Sequence, residues 1–300
     1  MFIIDAHSHL WLRQDTVVDG QPIRTTTRGR SLFFGEEVQM LPPFLIDGRN
    51  SAEVFLANMD YAQVSAAVVV QEVIDGLQND YLADVQSRYP TRFVCCGMTD
   101  PDDPQPAETT QALLDRGFRA MAIPAHRIHG ALNSDARMAM FRLMEQRGAR
   151  LSICLADEER QIGEMAEVIK ECPQLKVAIG HFGMPTGKCW KQQVALAKAE
   201  NVYVECGGIT WLYNSEFYPY PSAVRKVREA ADNVGMEKLM WGSDYPRTIT
   251  AITYRMSYDF FLHSPLLTDD EKTAFMGANA MRFYDIKEAV ELPYVKNMSE

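Results

Sequence analysis

The sequence predicts an α/β protein built as a (β/α)8 barrel. Three observations predict it. Eight short apolar runs recur along the chain, amphipathic helical stretches fill the intervals, and 300 residues is an ordinary length for one such barrel. The competing open, doubly wound sheet is disfavoured because no G-x-G-x-x-G or G-x-x-x-x-G-K-[ST] loop follows the first run.

The runs, in order, are "MFIIDA" (1–6), "SAAVVVQ" (65–71), "RFVCCGMT" (92–99), "GFRAMAIP" (117–124), "ARLSICLA" (149–156), "LKVAIGHFG" (175–183), "NVYVECGG" (201–208) and "KLMWGSDYP" (238–246). They are short, largely apolar and often β-branched, as parallel strands covered on both faces should be. Between them "SAEVFLANMDYAQ" predicts a helix opened by a Ser51 cap. "AETTQALLDRG" and "DARMAMFRLMEQRG" predict helices stopped by Gly117 and Gly148, the second with Met138, Phe141 and Met144 on its packed face. No repeat, low-complexity segment or linker divides the chain, so a single domain over 1–300 is expected, with 286–300 as a C-terminal tail. Residues 12–50 interrupt the alternation after the first strand. A loop this long is usually functional or disordered, and Leu32, Phe33, Phe34 and Phe44 favour an ordered lid. An aromatic stretch, "GITWLYNSEFYPYPS" (208–222), follows the seventh strand. Both segments should lie at the C-terminal face of the strands, where barrel enzymes keep their active sites.

Composition narrows the partners. A formal net charge of −10 argues against nucleic acid and anionic membrane. No apolar run approaches the roughly 18 residues of a membrane span. The N-terminus carries no basic segment leading into a signal-peptide core, and a cytoplasmic protein is expected. The six cysteines form no C-x-x-C pair and are expected to be buried thiols in a reducing compartment.

The chemistry lies at strand ends. Residues i and i+2 of a strand share a side, so His7 and His9 project together, with Asp5 one step deeper. Side by side in a low-dielectric barrel, two imidazoles suit a metal or a shared proton network; two hydrogen-bonded structural histidines are the alternative. His181 ends the sixth strand between glycines, and Asp244 ends the eighth, which neighbours the first in a closed barrel. Three histidines and an aspartate at strand ends are costly as packing, because buried polar groups require partners. Arg247 either grips a substrate carboxylate or belongs to a surface turn. His126 and Arg127, just past strand four, are binding candidates, whereas His129 reads as a loop residue. Trp211, Tyr213 and Tyr218 either wall the pocket or pack. Glu205 faces the barrel or the helices depending on register, and as a lone acid in an apolar strand it needs a partner. His263 is given no role, and Asn279 a structural one.

"DAHSHLW", "GHFGMP", "LMWGSDYPR" and "GANAMRFYDI", in this order and spanning almost the whole chain, resemble the amidohydrolase superfamily and its amidohydrolase-related (ACMSD-like) branch. That branch includes decarboxylases of aromatic and muconate-type acids, hydratases, and lactonases of sugar acids and pyrone dicarboxylates. The resemblance implies that His7 and His9 are first-strand metal or substrate histidines, that His181 polarises the substrate or moves a proton, and that Asp244 is the general base and, with a metal present, a ligand. Metal-dependent members usually add a histidine at the end of strand five, where Leu155, Ala156 and Asp157 are read here. A divalent ion, zinc foremost, is still compatible with His7, His9 and Asp244, with Glu72, His126 or Asp157 as candidates for a fourth position. Metal-independent lactonases share the missing histidine, which leaves a metal-independent site as the alternative and tilts the expectation toward hydrolysis of a lactone. "NVYVECGGITWLYNSEFYPYPS" followed by "MEKLMWGSDYPR" is similar to the sugar-lactonase group, whereas the 12–50 insert is more like the decarboxylases. The expected partner is a small carboxylated molecule, and a homo-oligomer is compatible with such barrels. A metal-dependent decarboxylase and a catalytically inactive metabolite-binding barrel are the alternatives.

Overall fold

All eight apolar runs are strands in the computed structural model, which describes residues 1–298; the last two residues of the expected tail lie outside it. The first, β1 (Ile3–Ser8), leads into the insert, which folds as a four-stranded antiparallel sheet of β2 (Asp15–Val18), β3 (Gln21–Thr25), β4 (Arg30–Phe33) and β5 (Glu36–Gln39). The barrel continues with β6 (Val64–Val69), β7 (Phe93–Gly97), β8 (Ala120–Ile123), β9 (Arg150–Ile153), β10 (Lys176–Ile179), β11 (Val202–Glu205) and β12 (Leu239–Met240). These strands pair in parallel in chain order. The ring closes where Ala6 N donates to Trp241 O at 2.9 Å, Asp244 N to His7 O at 2.8 Å and His9 N to Tyr245 O at 2.7 Å. Such a ring has no free edge.

Two apolar layers follow from strand alternation. Ile4, Ala6, Ala66, Val68, Val94, Cys96, Ala120, Ala122 and Ala178 fill the inside. Val64, Ala67, Val69, Phe93, Leu151, Ile153, Val177, Val202 and Val204 pack outward against the helices. Small residues dominate the inner layer, which leaves room for Phe283 and Tyr284 of the helix Asn279–Tyr284 to join it. Arg150, at the start of β9, donates to Phe283 O at 3.2 Å, so that helix closes the N-terminal end of the barrel. Asn279 is buried and donates to Met236 O at 2.8 Å and Leu239 O at 2.7 Å, in keeping with its expected structural role. Asn279→Ala removes both bonds, although Met236 O keeps the Leu239 N–H, and is expected to lower stability by about 2 kcal/mol, read as a reduced urea midpoint with unchanged slope.

The helices match their signals with one correction. Those at Pro106–Asp115 and Asp135–Gln146 end just before Gly117 and Gly148, and Met138, Phe141 and Met144 are buried. Ser51 does occupy the N-cap of Ala52–Tyr61 with extended backbone, but its hydroxyl makes no capping bond. The insert is ordered through a small core of Val18, Ile23, Met40 and Ile74, against which Phe33 and Phe34 pack. Phe44, counted among the aromatic signals for order, is instead exposed. Among the described residues, no helix is long and apolar enough to cross a membrane.

Candidate active site

The pairing of β1 with β6 slips by one residue between Asp5 and Ser8. A bulge of this kind re-aims side chains and breaks the period of two. Asp5 therefore does not share a side with the histidines as expected. It lies in the seam between β1 and β12, where its carboxylate accepts from His7 N (3.1 Å), Ser243 N (2.8 Å), Ser243 Oγ (2.5 Å) and Tyr254 Oη (2.7 Å). Burial pushes this carboxyl up to about 6, against those hydrogen bonds.

His7 and His9 do come together. Their Nε2 atoms are 3.2 Å apart, and Asp244 Oδ1 lies 3.0 Å from His9 Nε2 and 3.7 Å from His7 Nε2. His7 Nδ1 donates to Glu205 Oε1 at 2.7 Å. Val202 and Val204 face the helices, so alternation turns Glu205 inward and resolves its register. Glycines let the parts meet: a Cβ on Gly207 would sit 2.6 Å from His7 Cγ, and one on Gly180 would sit 2.6 Å from Cys154 Sγ and 2.9 Å from Glu205 Oε1.

His181 follows Gly180 in a turn where His181, Phe182 and Met184 all have positive φ, and Asp244 itself sits at φ 60. Non-glycine residues in this region carry strain that the surrounding structure must hold. The His181 ring centroid is 4.5 Å from that of His7. Its main-chain N–H bonds Glu205 Oε1 at 3.0 Å, and its Nδ1 bonds Gly207 O at 3.0 Å. A carbonyl only accepts, so Nδ1 carries the proton and Nε2 of the neutral ring offers a lone pair. The indole N–H of Trp211 reaches Asp244 Oδ2 at 2.7 Å.

The electrostatics follow. Burial alone would raise Asp244, but the His9 hydrogen bond and charge, with the Arg247 guanidinium, hold it well below the carboxylate range. Burial and the Arg247 charge push His9 down to about 4. Burial, then the neighbouring His7, lowers His181. Burial would also lower His7, but Glu205 outweighs it and raises the ring.

A divalent cation fits this set. Among the described residues, His7, His9 and Asp244 each offer a ligand atom within 4.8 Å of the others. With His7 Nδ1–H given to Glu205, its Nε2 faces the Nε2 of His9 beside a carboxylate, an arrangement that requires a proton or a cation between them. Buried Asp5, Asp75, Glu205 and Asp244 outnumber the guanidinium, Arg247, that pairs with two of them. Two imidazoles and a carboxylate suit zinc, and Glu205 behind His7 is the usual supporting carboxylate. The candidate fourth ligands line the same cavity, but each has a contact of its own. Asp157 accepts from Lys188 N and Cys189 N at 2.9 and 2.7 Å and so ties down a loop. Glu72 accepts from Arg127 Nε at 3.4 Å, and His126 Nδ1 approaches Cys154 O at 3.3 Å. The fifth barrel strand ends at Ile153, so the residue at its tip is Cys154, with Leu155, Ala156 and Asp157 farther along the rim. Burial pushes that thiol up.

A cavity of about 560 Å³ opens over the cluster. His9, His181, Asp244, Trp211, His126, Arg127 and Arg247 line it, together with Phe33 and Met40 at its insert side. Arg247 is therefore no surface residue; its Nη2 grips Asp75 at 2.7 and 2.9 Å, and its Nη1 lies 3.9 Å from Asp244 Oδ1. Tyr213 and Tyr218 do not line the cavity; both pack against the outer core. His129 pairs with Asp102 and His263 with Asp259, both histidines exposed and away from the site. Sequence reasoning missed Asp75 altogether, since "VIDG" carries no motif.

Comparison with known proteins gives the following. The sequence model of the amidohydrolase family matches residues 4–286. No curated protein matches the sequence. Among solved structures, a probable 2-pyrone-4,6-dicarboxylic acid hydrolase from Acinetobacter baumannii, with citric acid bound, superposes with a TM-score of 0.69 at 16% identity, covering 95% of this chain and 100% of that one. An amidohydrolase from Burkholderia multivorans with bound zinc gives 0.67 at 16% identity, over 95% and 99%. A 5-carboxyvanillate decarboxylase from Sphingomonas paucimobilis gives 0.62 at 18% identity, over 80% and 85%. At these identities the likeness concerns the fold alone.

Proposed function

Because the chain belongs to the amidohydrolase family, we propose that it is a hydrolase that opens the cyclic ester of a carboxylated ring, with Asp244 activating the attacking water. The observation that carries this reading is Asp244 itself: buried, ionised, and fixed by His9 at Oδ1 and Trp211 at Oδ2 on the floor of the cavity. The absence of a histidine at the tip of the fifth strand supports hydrolysis over decarboxylation, as does the likeness to the pyrone dicarboxylate hydrolase.

The residues divide the work. Asp244 accepts a hydrogen bond from water and orients it toward the ester carbonyl. A carboxylate so weakly basic does not keep the proton. Neutral His181, open at Nε2, takes it as the new C–O bond forms and returns it to the ring oxygen as the old C–O bond breaks. Neutral His181 has no free N–H to polarise the carbonyl, so of its two expected roles the proton-moving one fits. Bound by His7, His9 and Asp244, a zinc-like ion would supply Lewis-acid polarisation of the carbonyl and a more acidic water. Phe33, Met40, Ile74, Leu155 and Met184 make the walls apolar, which suits a flat ring. Arg127, its guanidinium against the Phe34 ring, spends only Nε in the described side-chain hydrogen bonds, on Glu72, and keeps its Nη donors for a carboxylate. Arg127→Met is expected to raise KM by about 10-fold or more with kcat little changed, the pattern of lost uniform binding.

A pH-indicator screen of carboxylated lactones, run beside carbon dioxide release from the corresponding aromatic acids, tests the reaction. Acid release, with or without a bound metal ion, is the expected result. Carbon dioxide release would replace it with the decarboxylase reading, which the insert and the neighbouring carboxyvanillate enzyme favour. Turnover of neither class would leave a metabolite-binding barrel.

A further inference from the structure

Asp75 lies in the short turn Val73–Asp75 after β6 and is 2% exposed. Three groups converge on its carboxylate. Arg247 Nη2 donates to both oxygens at 2.7 and 2.9 Å, and Gln14 Nε2 donates to Oδ1 at 3.1 Å. His9 Nδ1 lies 3.5 Å from Oδ2, and this ring nitrogen has no other partner although it is buried. Gln14 in turn accepts from Ser31 Oγ at 2.6 Å, and Ser31 belongs to β4 of the insert. Gln14 and Ser31 are themselves buried. A continuous chain of buried polar contacts thus runs from the insert sheet to the floor of the cavity.

We infer that Asp75 is a positioning residue that sets His9 and Arg247 together, and that Gln14 and Ser31 make the insert sheet part of this anchorage. The chemistry supports both halves. A carboxylate 3.5 Å from Nδ1 stabilises a proton there, so that Nε2 can exchange its hydrogen bond to Asp244 Oδ1 at 3.0 Å for a cation. The same carboxylate holds a guanidinium that would otherwise be free to swing, and so fixes the positive charge 3.9 Å from Asp244. Because one oxygen also takes the Gln14 amide, a shift of the insert changes what remains for His9 and Arg247. The insert is therefore more than a wall: its position and the geometry of the histidine pair are coupled. This rests on the proposal that His9 and Asp244 form the reactive centre, but it is tested without any substrate.

The test uses the full chain labelled with ¹⁵N-histidine and long-range ¹H–¹⁵N spectra, with cobalt(II) as the metal probe. In the zinc-loaded parent, His9 should show a protonated Nδ1 and a metal-bound Nε2. Asp75→Asn keeps the shape and removes the charge; it should shift the loaded His9 Nδ1 signal and weaken cobalt(II) binding by about 10–100-fold, the range for lost supporting carboxylates. Asp75→Glu should restore the parent pattern. Gln14→Leu touches neither His9 nor the cavity lining, yet it should shift the His9 signals and weaken cobalt(II) several-fold. Should Asp75→Asn fail to fold, the Gln14→Leu spectra decide. A His9 pattern that is the same in the parent and in both variants overturns the inference. A parent that binds neither zinc nor cobalt(II) removes the metal from the proposed function and overturns the His9 half of the inference with it.

Discussion

Asp244→Asn is expected to lower kcat by about 10³-fold, the scale for loss of one preorganised electrostatic contact in a buried site. The substitution is chosen for what it keeps. Asparagine has the same size, and it is among the few side chains that tolerate the left-handed backbone found at φ 60. Its carbonyl can still accept the Trp211 indole N–H, so that wall of the cavity stays in place. What it loses is the negative charge facing His9 and the lone pairs that orient a water. Far-UV circular dichroism should match the parent and KM should change little, because Arg127 and the apolar walls are untouched. Steady-state kinetics on whichever substrate emerges from the screen gives the answer. Turnover at the parent rate would remove Asp244 from the chemistry and, with it, the case for an enzyme built on this cluster.

The legible part of this molecule is the part that repeats. Buried parallel strands must be apolar on both faces, so each appears in the sequence as a short continuous run, and all eight are where those runs lie. His7, His9, His181 and Asp244 stand out because polar residues at the ends of such runs have no packing reason to be there. What escaped has physical causes. The insert reads as a long loop, yet Asp19-Gly20 between "TVV" and "QPIR" is a two-residue hairpin signal, and both residues have positive φ as that turn requires. Its strands are short and half-exposed, so they lack the continuous apolar runs that marked the barrel. Glu205 could not be oriented because an apolar strand covered on both sides has no polar face to set its phase. Asp75 could not be found because its meaning lies in Arg247, 172 residues away. Trp211 reached the site and Tyr213 did not, although they lie two apart in one aromatic stretch; a short helix, Ile209–Leu212, begins there and breaks any simple alternation.

The second large effect falls on stability, at Asp5. Its carboxylate accepts from two main-chain amides, His7 N and Ser243 N, and from two hydroxyls, Ser243 Oγ and Tyr254 Oη, all in the buried seam where the barrel closes. Asp5→Leu fills the volume and leaves these donors without a partner. Each buried donor so orphaned costs about 1–3 kcal/mol, and two amides cannot rotate away, so a loss of about 4 kcal/mol is expected. At roughly 2 °C per kcal/mol for a chain of this size, Tm should fall by roughly 8 °C. Asp5→Asn separates the charge from the hydrogen bonds. Its carbonyl can serve both amides, and its NH₂ can donate to hydroxyls that accept as well as donate, so it should cost about half as much or less. Calorimetry on the two variants is the check; equal losses would mean that the charge, and not the amide pairing, holds the seam. The bond from His7 N to Asp5 also stands at the β1 irregularity that turns His7 toward Glu205. Asp5→Leu should therefore lose metal affinity at temperatures where it is still folded, because the group that closes the barrel is also the one that aims its first histidine.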